Sequence, residues 1–371
     1  IAEGDVVKKR HFGTLLTAVL LTSLNGPALA DIKLVDTDVN KLSLYGWIKG
    51  DATYQDDDMN SKVAPRFAVS DGDNGTNLTA MHSRFGLKWA GPKLDNGWNA
   101  NAVFEFDLFD SSSNNQMKFR NRLAAFTLSK DRQSVLVGQH WDIFSSVNPT
   151  TLMTNGFLWQ TGNLGFRRAQ ARYTYKGDFF TYSGSINDPS MSGESAETDS
   201  PIFEGKVGFK LADVNLSVSG AYGQDDESLP SDDADIWGLS AEAIWPINSN
   251  YTLKGEIATG ENLSVFLSRS KVNTDTQDEE ETVAGWAELV YTGNDYDWWA
   301  GGAFESLDEI ASGTTEDTWM VFAGVHRKLK SKLLGGAPVR FGVEIAHFES
   351  EVKNGEEPDA NQIIFSGQFN F

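Results

Sequence analysis

The sequence predicts an all-β fold: a transmembrane antiparallel β-barrel of about sixteen strands with an inward-folded constriction loop. Three observations carry that expectation. Segments of roughly ten residues with period-two apolar alternation recur along the chain, an export-type segment stands near its start, and its last strand-like segment finishes on Phe371.

In order, the first segment is residues 42–54. It puts Leu42, Leu44, Gly46, Ile48, Gly50 and Ala52 on one face and Ser43, Lys49, Asp51 and Thr53 on the other, as a strand between lipid and water requires. In residues 98–108, Ala100, Ala102, Phe104, Phe106 and Leu108 alternate with Asn99, Asn101, Glu105 and Asp107. Similar segments occur at 79–90, 118–128, 134–141, 167–176, 178–187, 203–212 and 215–223. They continue at 235–245, 251–261, 282–292, 295–305, 317–329, 339–349 and 361–371, about sixteen in all and even in number. Short turns and longer acidic or Ser/Gly/Asn-rich loops separate them alternately. Trp89, Trp98, Trp141, Tyr175, Trp245, Tyr251, Tyr291, Tyr296 and Trp298 recur near strand ends, where interfacial aromatic girdles form.

Composition excludes the competing classes. Hydrophobic residues make up 40% and aromatic ones 12%, with 35 Gly against 10 Pro. No apolar run approaches the ~18 residues of a membrane-spanning helix. A mildly negative mean hydropathy is compatible with strands that alternate apolar-out and polar-in. The net charge of −21 argues against nucleic acid as a partner, because such binding needs a Lys/Arg footprint. Acidic runs at 56–58, 225–227, 232–235, 278–281 and 356–359 read as solvated loop surface, or as divalent-cation bridges to lipopolysaccharide. The absence of Cys excludes disulfides and thiolate sites.

Near the start, Lys8, Lys9 and Arg10 form a charged region, residues 12–24 an apolar one, and Ala28-Leu29-Ala30 a cleavage pattern. Residues 1–30 are therefore expected to be upstream sequence (1–7) plus a cleaved signal peptide, and residues 31–371 a single barrel domain in the outer membrane. At the other end, Ile363, Phe365, Gly367, Phe369 and Phe371 alternate with Ser366, Gln368 and Asn370. Phe365, Phe369 and Phe371 resemble the terminal signal read by the outer-membrane barrel assembly machinery, and this strand must pair with the first so that no edge faces lipid.

One gap breaks the rhythm. Residues 142–165 follow Trp141 without strand pattern, and Leu152, Met153, Phe157, Leu158 and Trp159 argue against full solvation. The flanking segments carry Arg84 and Lys88, Arg120 and Arg122, and Arg168 and Arg172 at i,i+2 or i,i+4 spacing, which places each pair on one strand face and predicts a basic ladder lining an anion path. Glu105, Asp107 and Asp142 are the opposing acidic pore residues. They produce either structural ion pairs or a transverse field across the constriction. His82, His140, His326 and His347 are scattered and match no catalytic motif, and no metal-ligand spacing occurs, so no catalytic residue, metal or cofactor is expected.

Leu44-Tyr45-Gly46-Trp47-Ile48-Lys49, Ser83-Arg84-Phe85-Gly86-Leu87, Glu105-Phe106-Asp107, Val137-Gly138-Gln139-His140-Trp141 and Arg168-Ala169-Gln170-Ala171-Arg172-Tyr173 resemble landmarks of the DcaP-like Gram-negative porins. The similarity is strongest over residues 42–175. It implies a homotrimer of sixteen-stranded barrels that favours negatively charged small molecules such as dicarboxylates, with Arg84, Arg120, Arg122, Arg168 and Arg172 lining the path. The eleven residues between the cleavage pattern and the first predicted strand leave no room for the periplasmic coiled coil of some relatives. The expected function is passive diffusion of small hydrophilic solutes, anionic or neutral, in contact with outer-membrane lipid and lipopolysaccharide. A plugged structural or adhesion barrel and an outer-membrane hydrolase are the alternatives.

Overall fold

The computed structural model describes residues 31–110, 117–156, 158–189, 200–225, 234–273, 279–331 and 338–371. The export segment expected over residues 1–30 and Phe157 lie outside the described residues. The strands in chain order are β1 (Ile32–Asp36), β2 (Lys41–Met59), β3 (Asp73–Thr79), β4 (Arg84–Lys93), β5 (Asn99–Asp107), β6 (Arg120–Lys130), β7 (Gln133–Trp141), β8 (Arg167–Lys176) and β9 (Phe180–Asn187). They continue as β10 (Ile202–Leu211), β11 (Val214–Asp225), β12 (Ala234–Pro246), β13 (Tyr251–Glu261), β14 (Glu281–Thr292), β15 (Tyr296–Asp308), β16 (Thr315–Leu329), β17 (Val339–Val352) and β18 (Asp359–Asn370). A short 3-10 turn, Leu263–Phe266, follows β13.

Each strand from β4 to β18 pairs antiparallel with the next, β18 returns to β2, and β2 pairs with β4, which closes a ring of sixteen strand positions. Two positions are shared. Against one edge of β2, β4 covers Lys41 to Trp47 and β3 covers the stretch beyond Asp51. The predicted segment 79–90 therefore overlaps two strands, separated by a turn in which Ser83 N donates to Ala80 O (3.1 Å). Against the other edge, β18 covers Trp47 to Gln55 and β1 covers Lys41 to Leu44. Residues expected only to lead into the barrel thus form part of its wall. At that junction Gly46 and Phe371 exchange two backbone bonds of 2.9 and 3.1 Å.

Closure follows from the solvent: a barrel edge in hydrocarbon would leave a row of unpaired amides. The alternation sets the faces, with Ile48 54% exposed toward lipid while its neighbours Lys49 and Asp51 are buried inside. Two-residue turns such as Asp131-Arg132, with Asp131 at φ 52°, close one end of the barrel. Near those turns the aromatic residues cluster. Tyr175 and Tyr182 lie 5.4 Å apart, Tyr251 and Tyr291 5.0 Å, and Tyr291 and Trp298 5.7 Å.

The interior departs from simple polar lining. Inward residues Trp286, Trp299, Met320, Phe322, Phe348 and Ile364, on β14 to β18, pack against Leu152, Met153 and Leu158 of the loop between β7 and β8. That loop is folded into the lumen. Its apolar side chains bury themselves on one side of the barrel, so the polar passage is confined to the other.

The seam between β1, β2, β4 and β18 turns on Gly46. Its φ is 150°, and a Cβ there would sit 2.2 Å from the Arg84 carbonyl oxygen. Gly46→Ala is expected to cost at least about 2 kcal/mol through strain and overpacking. A lowered temperature for loss of the compact band on stepwise-heated semi-denaturing gels checks it.

Candidate solute constriction

An inserted loop brings backbone amides into a space where β-ladder partners are already used, so each needs another acceptor. Inward carboxylates on the wall supply them. Glu204 on β10 accepts from Ile143 N (2.8 Å) and Phe144 N (3.2 Å). Glu242 on β12 accepts from Ser146 N (2.7 Å), Glu288 on β14 from Thr150 N (2.7 Å), and Glu256 on β13 from Leu164 N (3.4 Å). Glu344 on β17 takes three donors: Leu152 N (2.8 Å), Thr151 Oγ1 (2.6 Å) and Trp299 Nε1 (2.8 Å). Cations hold the carbonyl side. Lys49 Nζ donates to Leu152 O (2.9 Å) and Lys254 Nζ to Asn148 O (2.7 Å). The β13–β14 connection supports the loop from its far side, with Phe266 O accepting from Gly165 N (2.8 Å) and Leu267 O from Gln160 N (3.1 Å).

Across from this anchored side, β4, β5, β6 and β8 carry the arginines. Register places Arg84 opposite Asp107 and Asp107 opposite Arg120. Arg120 binds Asp107 bidentately (2.9 and 2.6 Å) and reaches Asn155 Oδ1 of the loop (2.8 Å). A register shift between Glu105 and Phe106 sets a bulge in β6 at Arg122. There Arg122 Nε meets Glu105 (2.7 Å) and Nη1 meets Asp107 (2.9 Å). Arg84 Nε stands 3.7 Å from Glu105. Aromatic rings orient the guanidinium planes: Arg84 lies 4.4 Å from Trp47, Arg120 4.4 Å from Phe109, and Arg167 4.9 Å from Trp141 and 4.5 Å from Phe166.

Five predicted residues, Arg84, Glu105, Asp107, Arg120 and Arg122, therefore come together. Glu105 and Asp107 sit between the cations on the same wall and do not face them across the lumen. Arg168 belongs to a separate clamp, bound to Asp142 (2.9 and 3.0 Å) and to Val265 O (2.6 Å). Burial pushes the Asp142 carboxyl up, against the opposing pull of Arg168 and the Phe166 N–H. Arg172 meets His140 Nδ1 (3.2 Å). Lys88 does not join the cluster. It lies four residues further along β4, over Tyr45 and paired with Asp31 (3.1 Å). Trp141, expected in a girdle, instead stacks on Arg167. Phe365 and Phe369 are exposed on the outer wall, and Phe371 lies 5.8 Å from Phe85.

Arg167 and the loop-holding glutamates do not follow from the i,i+2 and i,i+4 spacing of the cations. The glutamates carried a signal, since each occupies the polar phase of a recognised alternating segment. Arg167 carried none, because alternation through Arg168, Gln170 and Arg172 assigns it to the opposite face. Among the described residues no His/Asp/Glu cluster could hold a metal ion.

A closed barrel narrowed by an inserted loop defines a channel of the outer-membrane type. The chain belongs to the Gram-negative porin family, whose model matches residues 16–334. The fold is similar to the outer membrane channel DcaP of Acinetobacter baumannii, with a TM-score of 0.75 at 19% identity over 91% of this chain and 99% of that one. It is also similar to an anion-selective porin from Comamonas acidovorans (TM-score 0.60, 14% identity, 90% and 100% covered). A third similar structure is Salmonella typhi OmpF in complex with daunomycin (0.63, 13%, 91% and 99%). No curated protein sequence matches the chain.

Glu344→Gln keeps the shape of the three-donor clamp but removes its charge. Proteolysis within residues 148–156 is expected to accelerate about tenfold, equivalent to ~1.4 kcal/mol of lost loop protection. Unchanged cleavage kinetics would show that the loop is held elsewhere.

Proposed function

We propose that this porin provides passive diffusion of small hydrophilic solutes across the outer membrane, with a preference for anions such as dicarboxylates. The observation that carries the preference is local charge: Arg84, Arg120, Arg122 and Arg167 surround only two carboxylates, Glu105 and Asp107, inside a chain of net charge −21. At the constriction such an excess attracts anions and repels cations, and planar guanidinium groups match carboxylate oxygens bidentately. Neutral solutes small enough to pass are not opposed. The fold shared with a porin described as anion-selective supports the same reading.

The working unit in this proposal is a homotrimer of single-domain barrels, residues 31–371, bounded by lipid and lipopolysaccharide. Residues 1–30 direct export, and the assembly machinery reads Phe365, Phe369 and Phe371. The apolar packing of the loop against β14–β18 favours one competing reading, a plugged barrel.

Planar-bilayer recording separates them. Stepwise ohmic conductance is expected, with a reversal potential of anion-selective sign in a tenfold KCl gradient. Arg120→Gln with Arg122→Gln is expected to lower the Cl⁻ to K⁺ permeability ratio by about threefold. A folded but silent protein favours the plug, and cation selectivity in the parent protein refutes the anion preference.

A further inference from the structure

The constriction arginines are not equivalent, and what distinguishes them among the described residues is whether a carboxylate pairs with them, as Glu105 does with Arg84 at 3.7 Å. Arg120 makes three hydrogen bonds to Asp107 and Asn155. Arg122 makes two to Glu105 and Asp107. Arg168 is committed to Asp142 and the Val265 carbonyl. Arg167 is only 1% exposed and has no carboxylate partner among the described residues, and its Nε and Nη1 make no hydrogen bond, as Arg84 Nε and Arg122 Nη2 also make none. Its guanidinium packs on the Trp141 and Phe166 rings, at 4.9 and 4.5 Å. The charges that act on it most are Arg122, Arg120, Asp107 and Arg84, three of them cations.

A buried cation with unused donors is costly, and a salt bridge usually removes that cost. Here Glu105 and Asp107 are already engaged by Arg84, Arg120 and Arg122. The positive charge of Arg167 is therefore left over. We infer that Arg167 is the specificity-determining residue of the constriction. It supplies an uncompensated positive charge that acts on small carboxylate-bearing solutes through its field from within the wall, whereas Arg168 is a positioning residue that fixes the loop through Asp142. This inference rests on the proposed anion preference.

The test compares the full mature protein with Arg167→Gln, Arg167→Lys and Arg168→Gln in planar bilayers, reading reversal potential in a tenfold KCl gradient and current block by succinate. Arg167→Gln is expected to shift the permeability ratio toward cations by about threefold or more and to weaken succinate block. Arg167→Lys restores the ratio, and Arg168→Gln shifts it less while increasing open-channel noise. An unchanged ratio in Arg167→Gln, a larger shift in Arg168→Gln, or failure of Arg167→Gln to assemble overturns the assignment, the last by making Arg167 a structural residue. A parent channel without anion preference would overturn the proposed function instead. The difference between parent and Arg167→Gln would still report this residue separately.

Discussion

Every buried backbone amide needs an acceptor, and in this molecule that requirement is met twice by different means. In the wall, closure of β18 onto β2 removes the last free edge from lipid. Inside, the ladder has no acceptors left for the loop between β7 and β8. Carboxylates do that work from the wall, and the size and position of the passage follow from where they pull the chain. Glu204, Glu242, Glu288 and Glu344 take the loop in sequence, from Ile143 to Leu152, while Glu256 takes its returning limb at Leu164.

This division of labour resolves an apparent contradiction between an acidic chain and a basic passage. Five inward acids of β10 to β17, Glu204, Glu242, Glu256, Glu288 and Glu344, point at backbone N–H groups of the loop and are buried beneath it. On β4 to β8 the only acids in the cluster are Glu105 and Asp107, and they stand among more guanidinium groups than they can neutralise. Net charge is thus a poor guide to the passage. What a solute meets depends on which charges the scaffold has already consumed.

How much of this was legible in the sequence depends on what alternation encodes. A period of two reports the face of a residue, so Lys49 and Asp51 were assigned inward and lie inward. It does not report height. Lys88 shares a strand with Arg84 but stands four residues away, about 13 Å along β4, which removes it from the cluster. Alternation also fails at irregularities. The bulge at Arg122 turns both that residue and Leu123 into the interior, and Arg167 joins the cluster at the start of β8 against the phase of its own strand. The sixteen-position ring was readable because the segments are long and regular. β1 was not, because its five residues lie exposed beside the seam and carry too short a pattern. The loop's inward fold was suggested by its apolar residues, but its anchors were not, since each glutamate is far from its partner in sequence.

Most of those anchors grip the main chain: Glu204, Glu242, Glu256 and Glu288 accept from peptide N–H groups of the loop, and Lys49 and Lys254 reach its carbonyls. Such a support is nearly indifferent to which side chains the loop displays. Substitutions at loop positions facing the passage can therefore accumulate without unseating the loop, so the scaffold can be retuned to new solutes by drift in a single short segment. The barrel separates the inheritance of its architecture from the inheritance of its selectivity.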